Sequence, residues 1–504
     1  MAGIKSLAKD TVIYGSCTIL GRFLNWLLVP LYSILFLPEK YGIVSNLYSY
    51  TAVALVILNY GMETGFFRYA NKEGQDPAKV YSTALVSVGF TSLLFIVLVS
   101  IFIGPVSDLL LYPDHQNYVW MLAVIVGIDA FANIPFAYLR YKNRPIKFAA
   151  IKIGSIVVNI GLNLFLLLAC PEIAKSKASW LINWFYEPMG GVDFGIGWIF
   201  VSNIISTVFS LVCLLPYFAT KISIFDGRLM KKMFLYSWPL LVLGVAGVLS
   251  QNMGQIIIPY LFEGQKIEAD KMVGIYSANI KIAIIMVMFT NAFRYAYEPF
   301  IFTQGKKKGE NPEKIYSDSM KYFIIFGLFI FLGVMFFLPI IRYFIAEEYW
   351  SGLQVVPIMM VAELLFGIFY NLSIWYKLTD RTRWGMYFSL TCFVIILGLN
   401  IWFVPTMGII NGYVGSAWAA VIGYLVVMLL SYFIGQHYYP INYPLKKIGL
   451  YTALAAILYV GGQWLECSNV MLLTYANRTL LLLIYILVVY ILENRTTSRP
   501  SPAE

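Results

Sequence analysis

Long stretches without a single charged side chain constrain this chain more than any other feature. Val80–Ser107, Phe194–Thr220 and Met233–Phe262 contain no Asp, Glu, Lys or Arg. A helix needs about 20 mainly apolar residues to cross a bilayer, so each stretch is long enough to span one. Trp384–Gln436 is uncharged throughout and long enough for two spans, which we place on either side of Pro405 and Gly408. These stretches predict helices that span a membrane.

The composition supports a membrane protein over a soluble one. Of the 504 residues, 60% are hydrophobic and 12% are charged, whereas soluble domains average roughly 45–50% and 25%. The net charge of +10 lies in short clusters between apolar runs, which indicates membrane topology rather than nucleic-acid binding. The cysteines and histidines lack ligand spacing, so we expect neither a metal nor another cofactor.

Reading span by span, we expect an all-α, polytopic membrane protein of about fourteen transmembrane helices. The predicted spans lie near residues 11–36, 41–63, 80–104, 117–139, 148–170, 194–218, 233–262, 272–297, 320–341, 353–376, 384–404, 411–435, 447–465 and 470–492.

The distribution of basic residues tests this count. With fourteen spans and a cytoplasmic N-terminus, the cytoplasmic loops hold 24 lysines and arginines and the outer loops hold 7. One missed or invented helix would invert every later loop and remove this bias. We therefore expect both termini in the cytoplasm.

Short similarities indicate an internal repeat. Tyr41-Gly-Ile-Val-Ser-Asn46 resembles Val273-Gly-Ile-Tyr-Ser-Ala-Asn279, and the same spacing that aligns Gly42 with Gly274 aligns Asn59 with Asn291. Six helices repeated in parallel orientation form a transporter architecture. The predicted division is an N-terminal lobe of helices 1–6 (residues 1–220), a C-terminal lobe of helices 7–12 (residues 221–437), and helices 13 and 14 with a short tail (residues 438–504).

Two basic residues at depth point to a hydrated cavity between the lobes. Arg22 lies about twelve residues into the first span, where a charge costs at least about 2.5–3.5 kcal/mol, and Tyr14, Thr18 and Asn25 share its helix face at steps of three and four. Lys281 lies about nine residues into the eighth span. Other polar residues that we expect to line the cavity are Lys152, Asn159, Gln251, Asn291 and Arg294. For each stripe of weakly polar residues taken alone, helix packing is the favoured interpretation.

Two acidic residues also lie at depth, Asp129 in the fourth span and Glu363 in the tenth. Their functional reading is proton or cation coupling. The structural reading is an ion pair, for example of Asp129 with Arg22 or Lys281.

The sequence resembles the polysaccharide-unit (Wzx-type) lipid-linked oligosaccharide flippases, whose superfamily also contains multidrug and toxin extruders and lipid II flippases. Six short segments carry the resemblance: Thr11-Val-Ile-Tyr-Gly15 with Arg22, Pro30-Leu-Tyr32, Tyr41-Gly42, Tyr236-Ser-Trp-Pro-Leu240, Val273-Gly-Ile-Tyr-Ser277 and Gly412-Tyr-Val-Gly-Ser-Ala417.

This resemblance implies a transporter in the bacterial inner membrane that moves a polyprenyl-diphosphate-linked glycan to the periplasmic leaflet for O-antigen or capsule assembly. It implies membrane lipids and the polysaccharide polymerase machinery as partners, and no catalytic or ATPase site. The diphosphate needs cations in the membrane, and Arg22, Lys281, Asn25, Lys152 and Arg294 are the expected binding residues. Helices 13 and 14 would be the pair associated with the lipid tail.

One position departs from the pattern. Many relatives carry an acidic residue followed by a basic one where this chain has Gly254-Gln255, so the resemblance implies no cation coupling there. The alternatives are a multidrug or organic-cation extruder of the same superfamily, and a membrane-embedded oligosaccharide polymerase or ligase. The first should have an acidic cavity, and the second usually needs a long outer loop with catalytic groups.

Overall fold

The computed structural model describes residues 17, 20–175, 182–218, 225–304, 312–379, 381, 383–464 and 471–497. These residues form helices joined by short turns, and no β-strand occurs among them. The expected all-α class is therefore confirmed.

The long helices follow the predicted spans closely. They are α1 (Leu20–Leu35), α2 (Pro38–Ala70), α3 (Pro77–Ile101), α4 (Gln116–Tyr141), α5 (Pro145–Leu164), α6 (Gly197–Phe218), α7 (Gly227–Leu261), α8 (Lys266–Gln304), α9 (Pro312–Phe336), α10 (Val355–Leu372), the merged helix Arg383–Tyr438, α13 (Leu445–Trp464) and α14 (Met471–Thr497).

The merged helix has 56 residues, which corresponds to roughly 84 Å of continuous helix and far exceeds a bilayer core of about 30 Å. Gly408 interrupts it with non-helical dihedral angles, φ 74° and ψ 178°. We name the part before Gly408 α11 and the part after it α12. The predicted hinge between two spans at this position is confirmed.

Length and apolarity identify membrane-crossing helices independently of any resemblance. Within the described ranges, 11 helices are long and apolar enough to cross a membrane, the merged helix counting once, and Leu20–Leu35 is a shorter apolar helix. The protein is a multi-pass membrane protein. The count of fourteen spans remains a prediction.

Contacts divide the chain into two compact units. Unit 1 contains residues 1–277 and 389–416, and unit 2 contains residues 278–388 and 417–504. In unit 1, α3 and α6 pack against α4, and α7 packs against α2. The core on one side of these helices is built around Phe66, Tyr81 and Met233, all nearly inaccessible to solvent.

In unit 2, two charged groups fasten α13 and α14 to α9. The Glu493 carboxylate lies 2.6 Å from the Lys321 ammonium and 3.2 Å from that of Lys447. Arg478 of α14 is buried, and its Nη1 donates to the Phe336 carbonyl at 3.0 Å. Because the last carbonyls of a helix lack partners within it, this arginine caps the C-terminal end of α9.

Candidate functional site

A polar cavity of about 440 Å³ lies within unit 1, between helices α1, α2, α4, α5 and α6. Its polar lining contains four of the residues singled out from the sequence, namely Asn25, Asp129, Lys152 and Asn159. The remaining polar residues that line it are Tyr32, Tyr48, Asn133, Ser155, Asn203, Ser206, Thr207 and Ser210.

Asp129 of α4 and Lys152 of α5 are the two charges in this cavity. Lys152 is the cation that interacts electrostatically with Asp129. The nearby Thr207 hydroxyl of α6 donates to Oδ1 of Asn203 at 3.5 Å. The Lys152 ammonium lies 4.2 Å from the centroid of the Phe136 ring. No direct ion pair within 4.0 Å joins Asp129 to Lys152 or to Arg22 among the contacts of the described residues. The two charges therefore line the same cavity without direct contact.

Hydrogen bonds between helices fix the amide and hydroxyl groups around these charges. Tyr32 donates to Oδ1 of Asn163 at 2.9 Å, and Nδ2 of Asn203 donates to the Tyr48 hydroxyl at 2.8 Å. Ser155 and Ser206 lie 3.0 Å apart through their hydroxyl oxygens. A rigid wall of amides, hydroxyls and tyrosine rings suits a hydrated cation or the hydroxyl groups of a sugar.

Arg22 lies on α1, and its side chain is exposed. It forms no hydrogen bond or ion pair within the described part of unit 1, and it is not among the residues that line the cavity. Gln251 of α7 is likewise exposed and outside the lining. Tyr14 and Thr18 lie outside the described residues.

The other predicted site residues belong to unit 2. Lys281 is half-buried on α8, and the Arg294 guanidinium lies 5.2 Å from the Tyr370 ring centroid. Nδ2 of Asn291 donates to the Val287 carbonyl of its own helix. Glu363 of α10 is half-buried, and within the described ranges it makes no hydrogen bond or ion pair.

Sequence reasoning missed a second polar centre, built on Gln255 of α7. Its Oε1 accepts a hydrogen bond from the Ser49 hydroxyl at 2.5 Å, and its Nε2 donates to the Ser277 hydroxyl at 3.0 Å. Its backbone carbonyl accepts from Nδ2 of Asn46. One glutamine therefore joins α2, α7 and the first part of α8. The signal available in the sequence was the glycine beside it, since small residues permit close helix packing.

Gly42 of α2 and Gly274 of α8 touch each other directly. A Cβ atom on Gly42 would overlap the carbonyl of Asp270, and a Cβ atom on Gly274 would overlap the carbonyl of Pro38. Gly42 and Gly274 are 232 positions apart, and so are Pro38 and Asp270. The contact is therefore reciprocal, as expected where equivalent segments of a repeat meet about a two-fold axis. We call this contact the glycine crossing.

A polar cluster accompanies the glycine crossing. The Asp270 carboxylate lies 2.7 Å from the Lys266 ammonium and accepts a hydrogen bond from Tyr112 at 2.8 Å. The same ammonium lies 3.7 Å from the centroid of the Tyr112 ring. Burial, and then the neighbouring Asp270 carboxylate, raise the pKa of the Tyr112 hydroxyl well above its ordinary value. The hydroxyl therefore remains a hydrogen-bond donor.

Within the described ranges, no group of three or more His, Cys, Asp or Glu side chains is placed to hold a metal ion.

Solved structures share this arrangement of helices. The chain is similar to the lipid II flippase MurJ in an inward closed conformation, with a TM-score of 0.64 and 14% identity over 98% of this chain and 100% of that one. It is also similar to an inward-facing multidrug resistance MATE family transporter of the MOP superfamily, with a TM-score of 0.63 and 14% identity over 85% of this chain and 95% of that one. The MATE multidrug transporter DinF-BH is similar as well, with a TM-score of 0.59 and 17% identity over 84% of this chain and 95% of that one. At these identities the likeness establishes the fold.

The family model described as polysaccharide biosynthesis protein matches residues 7–304, more than half of the chain. The chain belongs to this family. A comparison with curated protein sequences found no match. The family connects the chain with polysaccharide biosynthesis, and the structural relatives show its helical fold.

Proposed function

We propose that the protein moves a polyprenyl-diphosphate-linked oligosaccharide unit from the cytoplasmic to the periplasmic leaflet of the bacterial inner membrane. The observation that carries this proposal is Arg22, an exposed guanidinium on an apolar helix in a member of a polysaccharide biosynthesis family. A cation at that depth is stabilised by water or an anion, and a diphosphate supplies the anion.

In this proposal the lipid diphosphate is bound by basic residues, namely Arg22, Lys281 and Arg294. Guanidinium groups suit this role because they grip two phosphate oxygens at once. Lys152 adds a cation in the unit 1 cavity, and Asn25 lines the same cavity. The polyprenyl tail stays in the bilayer during transport, and α13 and α14 are the helices associated with it.

The polar wall of the unit 1 cavity contacts the hydroxyl groups of the glycan. Asn159 and Asn133 present amide groups, and Tyr48 presents a ring edge and a hydroxyl. Amides pair well with sugar hydroxyls because each has donors and acceptors. Asn291 and Gln251, together with Tyr14 and Thr18, are further residues proposed to line the path.

Asp129 and Glu363 are the groups proposed to couple transport to a cation. Asp129 shares its cavity with Lys152, so a proton or cation at Asp129 alters the charge available to an anion at Lys152. Glu363 has no counter-charge among its described neighbours. Each is therefore able to gain and lose a positive charge during a transport cycle.

Transport proceeds by alternating access in this proposal, and the glycine crossing is the contact that separates when the substrate leaves on the outer side. The Gln255 hydrogen bonds and the Asp270 cluster hold it closed. These contacts are hydrogen bonds, ion pairs or backbone packing. Water can therefore replace them readily when the crossing opens.

Deleting the gene and analysing lipid-linked glycans by mass spectrometry tests this function. A polyprenyl-diphosphate oligosaccharide should accumulate on the cytoplasmic side, while the surface polysaccharide disappears. A normal surface polysaccharide with no accumulated intermediate contradicts the proposal.

A second candidate function is multidrug or organic-cation extrusion. It is favoured by the structural likeness to MATE transporters and by the two membrane carboxylates. In the deletion strain this function predicts increased sensitivity to cationic dyes with an unchanged lipid-linked glycan pool.

A further inference from the structure

A groove of about 710 Å³ lies in unit 2 where the chain turns from α12 into α13. The turn contains residues 439–444, and α13 follows at once with Lys446 and Lys447. The positive-inside bias places these lysines on the cytoplasmic side. The groove lies beyond residue 304, where the match to the family model ends.

Hydrogen bonds and packing hold the turn that forms this groove in a defined position. Nε2 of Gln436 donates to the Ile441 carbonyl at 2.7 Å, and the Ser317 hydroxyl donates to the Asn442 carbonyl at 2.7 Å. Ile441 is only 4% exposed and packs against Tyr316 and Ile374. The backbone of the turn is thereby anchored to α9 and α12.

Two lysines line the groove, and one of them is exposed. Lys446, Lys447 and Glu313 are its charged lining residues. The Lys447 ammonium is partly neutralised by Glu493 at 3.2 Å. Lys446 is exposed and makes no ion pair within the described part of unit 2. Lys446 is therefore the least neutralised cation of the groove and the one most available to an anion.

The walls join this charge to apolar surface. The Tyr432 and Tyr443 rings lie 6.1 Å apart by their centroids and line the groove. Phe433 and Leu445, next to them in the chain, are exposed apolar side chains. A ligand with a phosphate at one end and hydrocarbon at the other matches this arrangement.

We propose that this groove binds the headgroup phosphate of an anionic phospholipid of the inner leaflet. The phosphate and glycerol lie between Lys446, Tyr432 and Asn442, and the acyl chains cover Phe433 and Leu445. Basic recesses between helices on the cytoplasmic side are suited to anionic lipid headgroups. The bound lipid fastens α12 to α13. This site is independent of the glycan substrate, and its test does not depend on transport.

Titration of the purified full-length protein with phosphatidylglycerol, followed by native mass spectrometry, tests the proposal. Lys446→Glu should weaken phosphatidylglycerol binding at least about fivefold, since it replaces the cation that contacts the proposed phosphate with a carboxylate that repels it. Asn442→Trp should weaken it as well by filling the groove, with no change of charge. Phosphatidylethanolamine should bind more weakly than phosphatidylglycerol to the unmodified protein.

Lys231→Glu is the matched control. Lys231 is exposed in the first turns of α7, makes no ion pair within the described ranges, and does not line the groove. The Lys231→Glu protein should bind phosphatidylglycerol with an affinity within about twofold of that of the unmodified protein. Equal losses for Lys446→Glu and Lys231→Glu would show attraction to surface charge alone and overturn the proposal. Unchanged binding in Asn442→Trp, or equal binding of phosphatidylethanolamine, would also overturn it.

Discussion

A guanidinium on an apolar helix persists only where water or an anion reaches it. Arg22 meets this description, because it is exposed on α1 and has no acidic partner within the described part of unit 1. Asp129, the acidic residue that the sequence offered as its partner, instead shares a cavity with Lys152. This exposure is what the proposed role of Arg22 in substrate binding requires.

Arg22→Ala should lower glycan export more than tenfold, as expected for loss of a charged hydrogen-bonding partner, while the protein remains inserted and folded. Arg22→Lys should recover export partly, because an ammonium is a point charge and lacks the two-pronged geometry. Arg22→Glu should be worse than Arg22→Ala, since it adds repulsion. Export is measured as surface polysaccharide, with melting temperature in detergent alongside and Lys231→Ala as the control. Undiminished export from Arg22→Ala would discard the binding role.

The Asp129 and Lys152 charges allow a sharper test of coupling against structure. We expect Asp129→Asn and the Asp129→Asn, Lys152→Gln double variant to fold and yet to lose export. If the two charges serve only as a buried pair, each single variant should be destabilised, by up to about 3–5 kcal/mol, and the double variant should regain both stability and export. Thermal unfolding and export measured on the two single variants and the double variant distinguish the two accounts.

The sequence predicted part of this site for a physical reason. Asp129, Lys152 and Asn159 stand out because polar groups deep in a span are costly and helical steps show which of them share a face. Asn203 and Thr207 do not stand out, because weakly polar residues are common in packed membrane helices. Gln255 was missed because its role depends on the helices that pack against it. The local sequence pattern does not show which helices these are.

Between elements, the glycine crossing is the tightest contact among the described glycines of unit 1. The first turn of α2 and the equivalent part of α8 approach so closely that their backbones touch through Gly42 and Gly274. Close approach of this kind needs residues without a side chain on both helices.

Gly42→Ala should force α2 and α8 apart and reduce both thermal stability and export. Gly247→Ala is the control, because a Cβ atom at Gly247 meets nothing within 4 Å. Alanine favours helix over glycine by roughly 0.5–1 kcal/mol, so the control should be neutral or slightly stabilising. Melting temperature in detergent reports on both variants. An equal effect in the two would show that the crossing is not a tight contact.

A second element contact lies at the start of α7, where Asp226 is the N-cap. Its Oδ1 accepts from the backbone of Arg228 at 2.9 Å and of Leu229 at 3.1 Å, and its Oδ2 lies 2.6 Å from the Lys79 ammonium. The hydrogen bond from Lys79, followed by those from the backbone, lowers the pKa of Asp226 to about 2.

Asp226→Asn keeps the cap and removes the charge, whereas Asp226→Ala removes both, so the melting temperature should fall more for alanine. Because the pKa of Asp226 is lower in the folded state, aspartate should stabilise the protein more than asparagine at pH values above about 4, the ordinary carboxyl range. This added stability should be lost as the pH falls toward 2. Melting temperatures of both variants across this pH range measure it. A difference between aspartate and asparagine that persists at pH 2 contradicts the assignment.

At the scale of the whole molecule, the helical membrane fold was predictable because uncharged runs of this length have no other stable solution. The break at Gly408 was also predictable, since a single run exceeded the bilayer thickness. The repeat was indicated by short matches alone, and the reciprocal contacts of Gly42 and Gly274 support it. The cap that Arg478 forms on α9 was not predictable, because it depends on where two distant segments meet.

The charge of the proposed substrate bears on how transport is driven. Export of an anionic headgroup from a negative interior is favoured by about 2.3 kcal/mol per charge for each 100 mV. The membrane potential thus assists flipping of a diphosphate and opposes export of an organic cation. Coupling to Asp129 or Glu363 would add to this drive.

Reconstitution of the purified protein into liposomes measures flipping most directly. The vesicles contain a labelled polyprenyl-diphosphate oligosaccharide. A membrane-impermeant reagent reaches the label only after the lipid has moved to the opposite leaflet. We predict protein-dependent translocation that an inside-negative potential accelerates and that Arg22→Ala removes. Failure of the folded protein to move this lipid under a potential, together with transport of an organic cation by the same vesicles, would contradict the account.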